Sequence, residues 1–152
     1  MPRLNETRLC TFRLDHRLYG LGVPHVLEIL RAPALTPVPQ ASPAIRGLIN
    51  LRGQILTALD LRVRLGLDPA PPDSSLMGLI VRGDNEAVIL LVDHVEGVLD
   101  VDPKTYEPTP ETVDSKIRAL VRGAYKLDEE LILLLDLEES LMLSSDIKGI
   151  TL

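Results

Sequence analysis

Hydrophobic and polar residues alternate with a period of two through much of the chain. Cys10, Phe12 and Leu14 alternate with Leu9, Thr11 and Arg13, which is the spacing of a strand. Asp15-His16-Arg17 reads as a turn and residues 17–23 as the returning strand, where Gly20 and Gly22 imply close backbone approach or a tight bend. Pro24 fits the first turn of a short helix, after which Val26, Glu28 and Leu30 fall on one side of an extended segment. Pro33, Pro37, Pro39 and Pro43 make residues 32–43 an extended connector. Two apolar runs then flank a turn at Arg52-Gly53.

Asp60 is placed to N-cap a helix over residues 61–65, and Gly66 to end it. Residues 68–75, rich in proline, aspartate and serine, form a linker. Residues 76–81 and 87–92 pair as a hairpin around Gly83-Asp84-Asn85, and residues 100–115 are a second connector carrying Pro103, Pro108 and Pro110. A last hairpin runs from Ile117 through Asp128-Glu129-Glu130 to Leu135, and Asp136 caps a closing helix over residues 137–143. The chain is mainly β, with short helices at strand ends.

The pattern is doubled. Residues 21–30 are similar to 90–99, Ile45-Arg46-Gly47-Leu48 to Ile117-Arg118-Ala119-Leu120, and Leu59-Asp60-Leu61 to Leu135-Asp136-Leu137, at offsets of 69, 72 and 76. Similarity at this period means two copies of one supersecondary unit, about residues 9–67 and 76–143, within one domain over residues 8–146. Short strands separated by turns at this spacing favour two small antiparallel barrels packed together, with strands that can be exchanged between them.

At 152 residues the chain is long enough to bury roughly 70% of its unfolded surface. Its aromatics are Phe12, Tyr19, Tyr106 and Tyr125, so the core is aliphatic and no base-stacking platform is available. Net charge is −6 and the pI about 5.0, which excludes a basic nucleic-acid face. Residues 1–67 hold nine arginines against four carboxylates, net +5, and residues 68–152 hold seven basic side chains against eighteen acidic, net −11. That asymmetry suits two different partners, head-to-tail contacts, or solvated faces alone. The single cysteine, Cys10, fits a reducing cytoplasm. The N-terminus has no export-type apolar stretch, and the runs at 87–92 and 131–135 are too short to cross a bilayer.

Candidate chemistry is sparse. Asp60 and Asp136, at matching helix starts, read as caps and not as an acid–base pair. His25, Asp93 and His94 have no companions at ligand spacing, so no metal or other cofactor is expected. There is no Gly-x-Ser-x-Gly elbow, and Gly20-Leu21-Gly22 is not completed as a phosphate loop because position 25 is histidine. Catalytic residues are not expected. Glu28 and Arg52 stand out as charges among apolar neighbours, Leu27, Ile29 and Leu51, and each needs a partner or water. They form a structural ion pair, two unrelated surface charges, or a pair at the rim of an apolar groove that receives a partner.

The run Ile45-Arg46-Gly47-Leu48-Ile49-Asn50-Leu51-Arg52-Gly53 followed by Asp60-Leu61-Arg62 closely resembles the central signature of the CheW family of bacterial chemosensory adaptors. Val26-Leu27-Glu28-Ile29, Leu91-Val92-Asp93-His94-Val95 and Leu133-Leu134-Leu135-Asp136-Leu137 stand in the family's order, and the likeness spans about residues 8–143. The resemblance implies a fold of two five-stranded, SH3-like β-barrels side by side and no enzymatic activity. It implies a cytoplasmic, array-associated protein that couples a CheA-type histidine kinase to the cytoplasmic tips of chemoreceptors (methyl-accepting proteins), without inserting into the membrane. By the same resemblance Val26, Glu28 and Arg52 match coupling positions, with Val26 and Arg52 at the receptor-facing groove. Gly47, Asn50 and Gly53 match the residues that shape the turn and nearby kinase contacts, and Val95 an apolar position lining the same groove. Where the family often has proline and valine before Asp60, this chain has Thr57-Ala58-Leu59, a departure that bears on that strand's edge contacts. Alternatives are a paralogue serving a separate chemosensory pathway (gliding, twitching or development) and a ligand-binding β-barrel, which would need a closed polar pocket.

Overall fold

The computed structural model describes residues 7–31, 33–71 and 74–142. The first half of the chain supplies β1 (Arg8–Leu14), β2 (Arg17–Gly22), β3 (Val26–Arg31), β4 (Ile45–Leu51), β5 (Gln54–Asp60) and the one-turn helix α1 (Leu61–Arg64). The second supplies β6 (Met77–Arg82), β7 (Ala87–Val92), β8 (His94–Asp100), β9 (Tyr106–Glu107), α2 (Ser115–Arg118), β10 (Val121–Lys126), β11 (Leu131–Leu135) and α3 (Leu137–Ser140). The strands form a six-stranded sheet in the order β8-β1-β2-β11-β10-β9 and a five-stranded sheet in the order β3-β6-β7-β5-β4.

These orders correspond place by place, β9 being the addition that makes one sheet six-stranded where five strands are expected. Each sheet takes strands from both halves. β3 pairs with β6 and β8 with β1, while β5 lies parallel to β7 and β11 parallel to β2. The charge asymmetry along the chain is therefore not divided between the sheets. Both sheets curl so that their ends meet. Thr36, five residues beyond β3, exchanges two 2.8 Å backbone hydrogen bonds with Leu48 of β4 at the other end of the five-stranded sheet. In the other sheet β9 follows β8 and pairs with β10. Closure of this kind removes open edges. Thr57, flagged by its departure from the family, sits on an interior strand, paired with Leu48 on one side and Val88 on the other.

Period-two alternation divides the strand residues among three cores. Val88, Leu90 and Val92 of β7 join Phe12, Leu14, Tyr19, Leu21, Leu133 and Leu135 in a core shared by the two sheets. The intervening Ile89 and Leu91 face a core of the five-stranded sheet with Ile49, Leu56, Ala58 and Ile80. Ile132 and Leu134 face the corresponding core of the six-stranded sheet with Leu9, Leu18 and Tyr125. Strands buried on both faces read as continuous apolar runs, which is why residues 87–92 and 131–135 show no alternation in sequence.

Two expectations are corrected. The repeat offset across the last hairpin is 76 throughout. Ile45 pairs with Leu59 and Gly47 with Ala58, the register slipping between them, and Val121 pairs with Leu135 and Gly123 with Leu134 with the same slip. The structural counterpart of Ile45-Arg46-Gly47 is thus Val121-Arg122-Gly123, not Ile117-Arg118-Ala119. Residues 115–118 instead form α2, where the Asp114 carboxylate accepts from the Lys116 N–H at 2.9 Å and Ile117 and Leu120 are buried three residues apart. The connector over residues 100–115 also holds β9 and a 3-10 turn at Pro103–Thr105. The closing helix ends at Ser140 with Leu141 as its C-cap; the expected end at Leu143 lies outside the described residues.

Candidate functional site: an arginine tip tied to an edge strand

The β4–β5 hairpin turns on two residues, Arg52 at φ +52° and Gly53 at φ +85°, with Leu51 paired to Gln54. Two successive positive φ values match the right-handed twist of the flanking strands, the reason such turns favour short hairpins. Glycine takes this conformation freely, whereas arginine does not. The Asn50 side-chain oxygen accepts the Gly53 N–H at 3.1 Å and locks the corner. Arg52 thus occupies an unfavourable backbone region at an exposed tip.

Its side chain reaches across the closure of the five-stranded sheet. Arg52 Nη1 and Nη2 donate to Glu28 Oε1 and Oε2, both at 3.0 Å, a two-pronged pairing that fixes the guanidinium plane. Hydrogen bonding and charge from Glu28 raise the arginine's pKa still further above its ordinary value. The Arg52 side chain is 71% exposed and that of Glu28 33%. Water screens so open a pair, and its contribution to folding is small. What it secures is the direction in which the guanidinium points.

β3 surrounds the glutamate with apolar surface. Along this strand Val26, Glu28 and Leu30 are half-buried and Leu27, Ile29 and Arg31 exposed. Leu30 packs on the core of its own sheet and Val26 against the core shared by both sheets. Leu27 and Ile29 are 46% and 44% exposed, and Ile55, opposite Asn50 on the hairpin, is 63% exposed. Leu27 and Gln54 border one depression with residues 82–87 at the β6–β7 turn. The result is an apolar strip with a rigidly held guanidinium at its rim, suited to an apolar partner carrying a hydrogen-bond acceptor.

The structure brings Val26, Glu28, Asn50, Arg52 and Gly53 together in this way. Gly47 is buried, and a Cβ there would come within 2.5 Å of the Thr36 carbonyl oxygen, so its bareness permits the closing contact. Val95 lies on β8 of the other sheet. Its N–H donates to Met77 Sδ at 3.4 Å, and Val26 pairs with Val81 of the same strand, β6. Val95 and Val26 pack on the same shared core. Ile55, Leu27 and Ile29 escape sequence reasoning as exposed positions because nothing local distinguishes an exposed isoleucine from a core one. The alternation of β3 is the available signal.

Other candidate chemistry resolves into structure. Asp60, 1% exposed, accepts from the Arg62 N–H at 3.0 Å and from Arg46 Nη1 at 2.8 Å. Burial pushes the Cys10 thiol up, away from the thiolate a nucleophile needs. Among the described residues no cluster of His, Cys, Asp or Glu could hold a metal, and no helix is long and apolar enough to cross a membrane.

The model of the CheW-like domain family matches residues 8–144. A probable chemotaxis protein CheW of Rhizobium etli is 32% identical over 133 residues, covering 88% of this chain and 86% of that protein. The chemotaxis protein CheW of Rhizobium meliloti is 31% identical over 130 residues, covering 86% and 84%. The crystal structure of the scaffolding protein TtCheW from Thermoanaerobacter tengcongensis superposes with a TM-score of 0.79 at 30% identity, covering 91% of this chain and 94% of that one.

Proposed function

The chain belongs to the CheW-like domain family, and from that premise we propose that it is a non-enzymatic adaptor coupling chemoreceptors to a CheA-type histidine kinase. The observation that carries the reading is the Arg52 tip, held in an unfavourable backbone conformation and tied by two 3.0 Å hydrogen bonds to Glu28 on an apolar edge strand. A fold gains little stability from that arrangement, whereas a receptor groove gains a fixed guanidinium beside an apolar strip. In this reading Val26, Glu28 and Arg52 face the receptor tip, Asn50 and Gly53 build the turn that presents Arg52, and Gly47 permits the contact that closes the sheet behind it. The protein works in the cytoplasm at receptor arrays, with no cofactor and no nucleic acid.

Affinity capture from the source organism tests the class: recovery of a CheA-type kinase supports it, and the identity of that kinase assigns the pathway. A salt series on binding of a soluble receptor-tip fragment tests the contact. Apolar cores carry most interface energy and charged rims mainly set orientation. Val26→Glu is therefore expected to abolish binding, and moderate salt to weaken it only slightly. Binding that vanished with salt and survived Val26→Glu would overturn the apolar-groove account.

A further inference from the structure

Asp93 is the single residue at which the chain passes from β7 in the five-stranded sheet to β8 in the six-stranded sheet. Its carboxylate accepts from Arg62 Nε at 2.7 Å, from Arg62 Nη2 at 2.8 Å and from the Asp15 backbone N–H at 3.0 Å. Its own N–H donates to the Arg13 carbonyl at 3.2 Å. Arg62 spends its remaining terminal nitrogen on the Asp68 carbonyl at 2.9 Å, and the Asp15 carboxylate lies 4.0 Å away. The two side chains are only 17% and 25% exposed. On one side of this cluster stands α1, which continues β5 directly from the Arg52 hairpin. On the other stand the β1–β2 turn and the start of β8, two residues before Val95.

The doubled architecture does not repeat this pair. The chain also crosses between sheets from β2 to β3, where the offsets of 69 and 76 place Pro24 opposite Asp93 and Glu138 opposite Arg62. Proline and glutamate cannot pair in this way, and that crossing is made by a 3-10 turn at Val23–His25.

We propose that Arg62 and Asp93 are positioning residues for coupling: they hold the start of β8, with Val95, in one orientation to the sheet that carries Glu28 and Arg52. Partners seated on the two sheets are thereby held in a single geometry. The inference rests on the adaptor reading above, and its test separates the two. Arg62→Met, Asp93→Asn and the conservative Arg62→Lys are compared with the intact chain by amide hydrogen exchange, by affinity for a soluble receptor-tip fragment, and by receptor-dependent activity of the CheA-type kinase.

Arg62→Met and Asp93→Asn are expected to raise exchange at residues 13–16 and 94–96 at least tenfold while β4 and β5 stay protected. Receptor-tip affinity is expected to change less than about threefold and kinase coupling to fall at least tenfold, with Arg62→Lys recovering part of the coupling. Unchanged exchange in both variants overturns the inference, as does coupling that falls only in proportion to receptor affinity or not at all. A wild-type chain that neither binds the receptor tip nor alters kinase activity overturns the adaptor reading, and the exchange data then decide the brace alone.

Discussion

Asp60 and Asp136 occupy the same corner of two differently composed sheets. The Asp60 N–H donates to the Ala44 carbonyl at 2.6 Å and the Asp136 N–H to the Leu120 carbonyl at 2.8 Å, partners that are themselves 76 residues apart. Asp60 ends β5 and Asp136 directly follows β11, and each caps the helix that comes next, Asp60 onto the N–H groups of Arg62 and Val63, and Asp136 onto that of Glu139.

At the first corner the carboxylate also holds a guanidinium. Asp60 is buried and also accepts from Arg46, so Asp60→Ala removes a cap and leaves a half-buried guanidinium without its partner. Its expected loss is about 2–4 kcal/mol, above the about 0.5–2 kcal/mol of a cap by itself. Urea unfolding of Asp60→Ala checks this, and a loss within the range of a cap would sink the argument.

The Arg52 tip allows stability and function to be separated. Arg52→Gly relieves a positive φ and removes only a solvent-screened pair, so its unfolding midpoint is expected to hold or rise. Receptor coupling is expected to fall in Arg52→Gly and in Glu28→Ala by similar factors, because each leaves the other group unheld. Thermal melts read beside a coupling assay check this. A drop in midpoint matching the loss of coupling would show the pair to be structural.

Gly47 and Gly53 both have positive φ, +155° and +85°, but different surroundings. Nothing lies within 4 Å of a Cβ at Gly53, whereas one at Gly47 meets the backbone that closes the sheet. Gly53→Ala is expected to cost about 1 kcal/mol and Gly47→Ala several times more, since backbone cannot yield as a side chain can. Hydrogen exchange at Thr36 and Leu48, whose mutual bonds would open in the second variant alone, tells whether closure is what fails.

Asp93 adds a dependence on pH. Burial pushes its carboxyl up, but the hydrogen bonds from Arg62 and the Asp15 N–H, with the nearby charges of Arg62 and His16, outweigh this and hold it below the ordinary carboxylate value. A group lowered on folding stabilises above its unfolded value, near about 3.9 for aspartate, and that stability is lost as pH falls through the folded value. The stability gap between the intact chain and Asp93→Asn is therefore expected to be full at about pH 6 and to close below about pH 4. A gap that widened on acidification would contradict the sign.

Much of the fold was legible because its causes are local. Alternation in residues 9–14 and 26–30, the prolines of residues 32–43, the Arg52-Gly53 turn and the capping aspartates each act within a few positions along the chain. The pairing of Glu28 with Arg52 could be proposed from the need of a charge among apolar neighbours for a partner. Register was harder. Ile117-Arg118-Ala119-Leu120 looks like Ile45-Arg46-Gly47-Leu48 in composition, but a cap at Asp114 turns it into a helix and moves the true counterpart four residues on.

By itself, then, the sequence determined strands, turns, caps and the doubling, which follow from backbone conformation and the two faces of a strand. It also marked every apolar strand position as one for burial. Only the tertiary structure decided which of three cores each would enter, that each sheet would be assembled from both halves, and that Arg62 would meet Asp93 across 31 residues. Those outcomes depend on which edges pair. Any strand edge offers the same N–H and C=O groups to any other, so partner choice is made by the packing of side chains distant in sequence, a sum over the whole molecule that no local window contains.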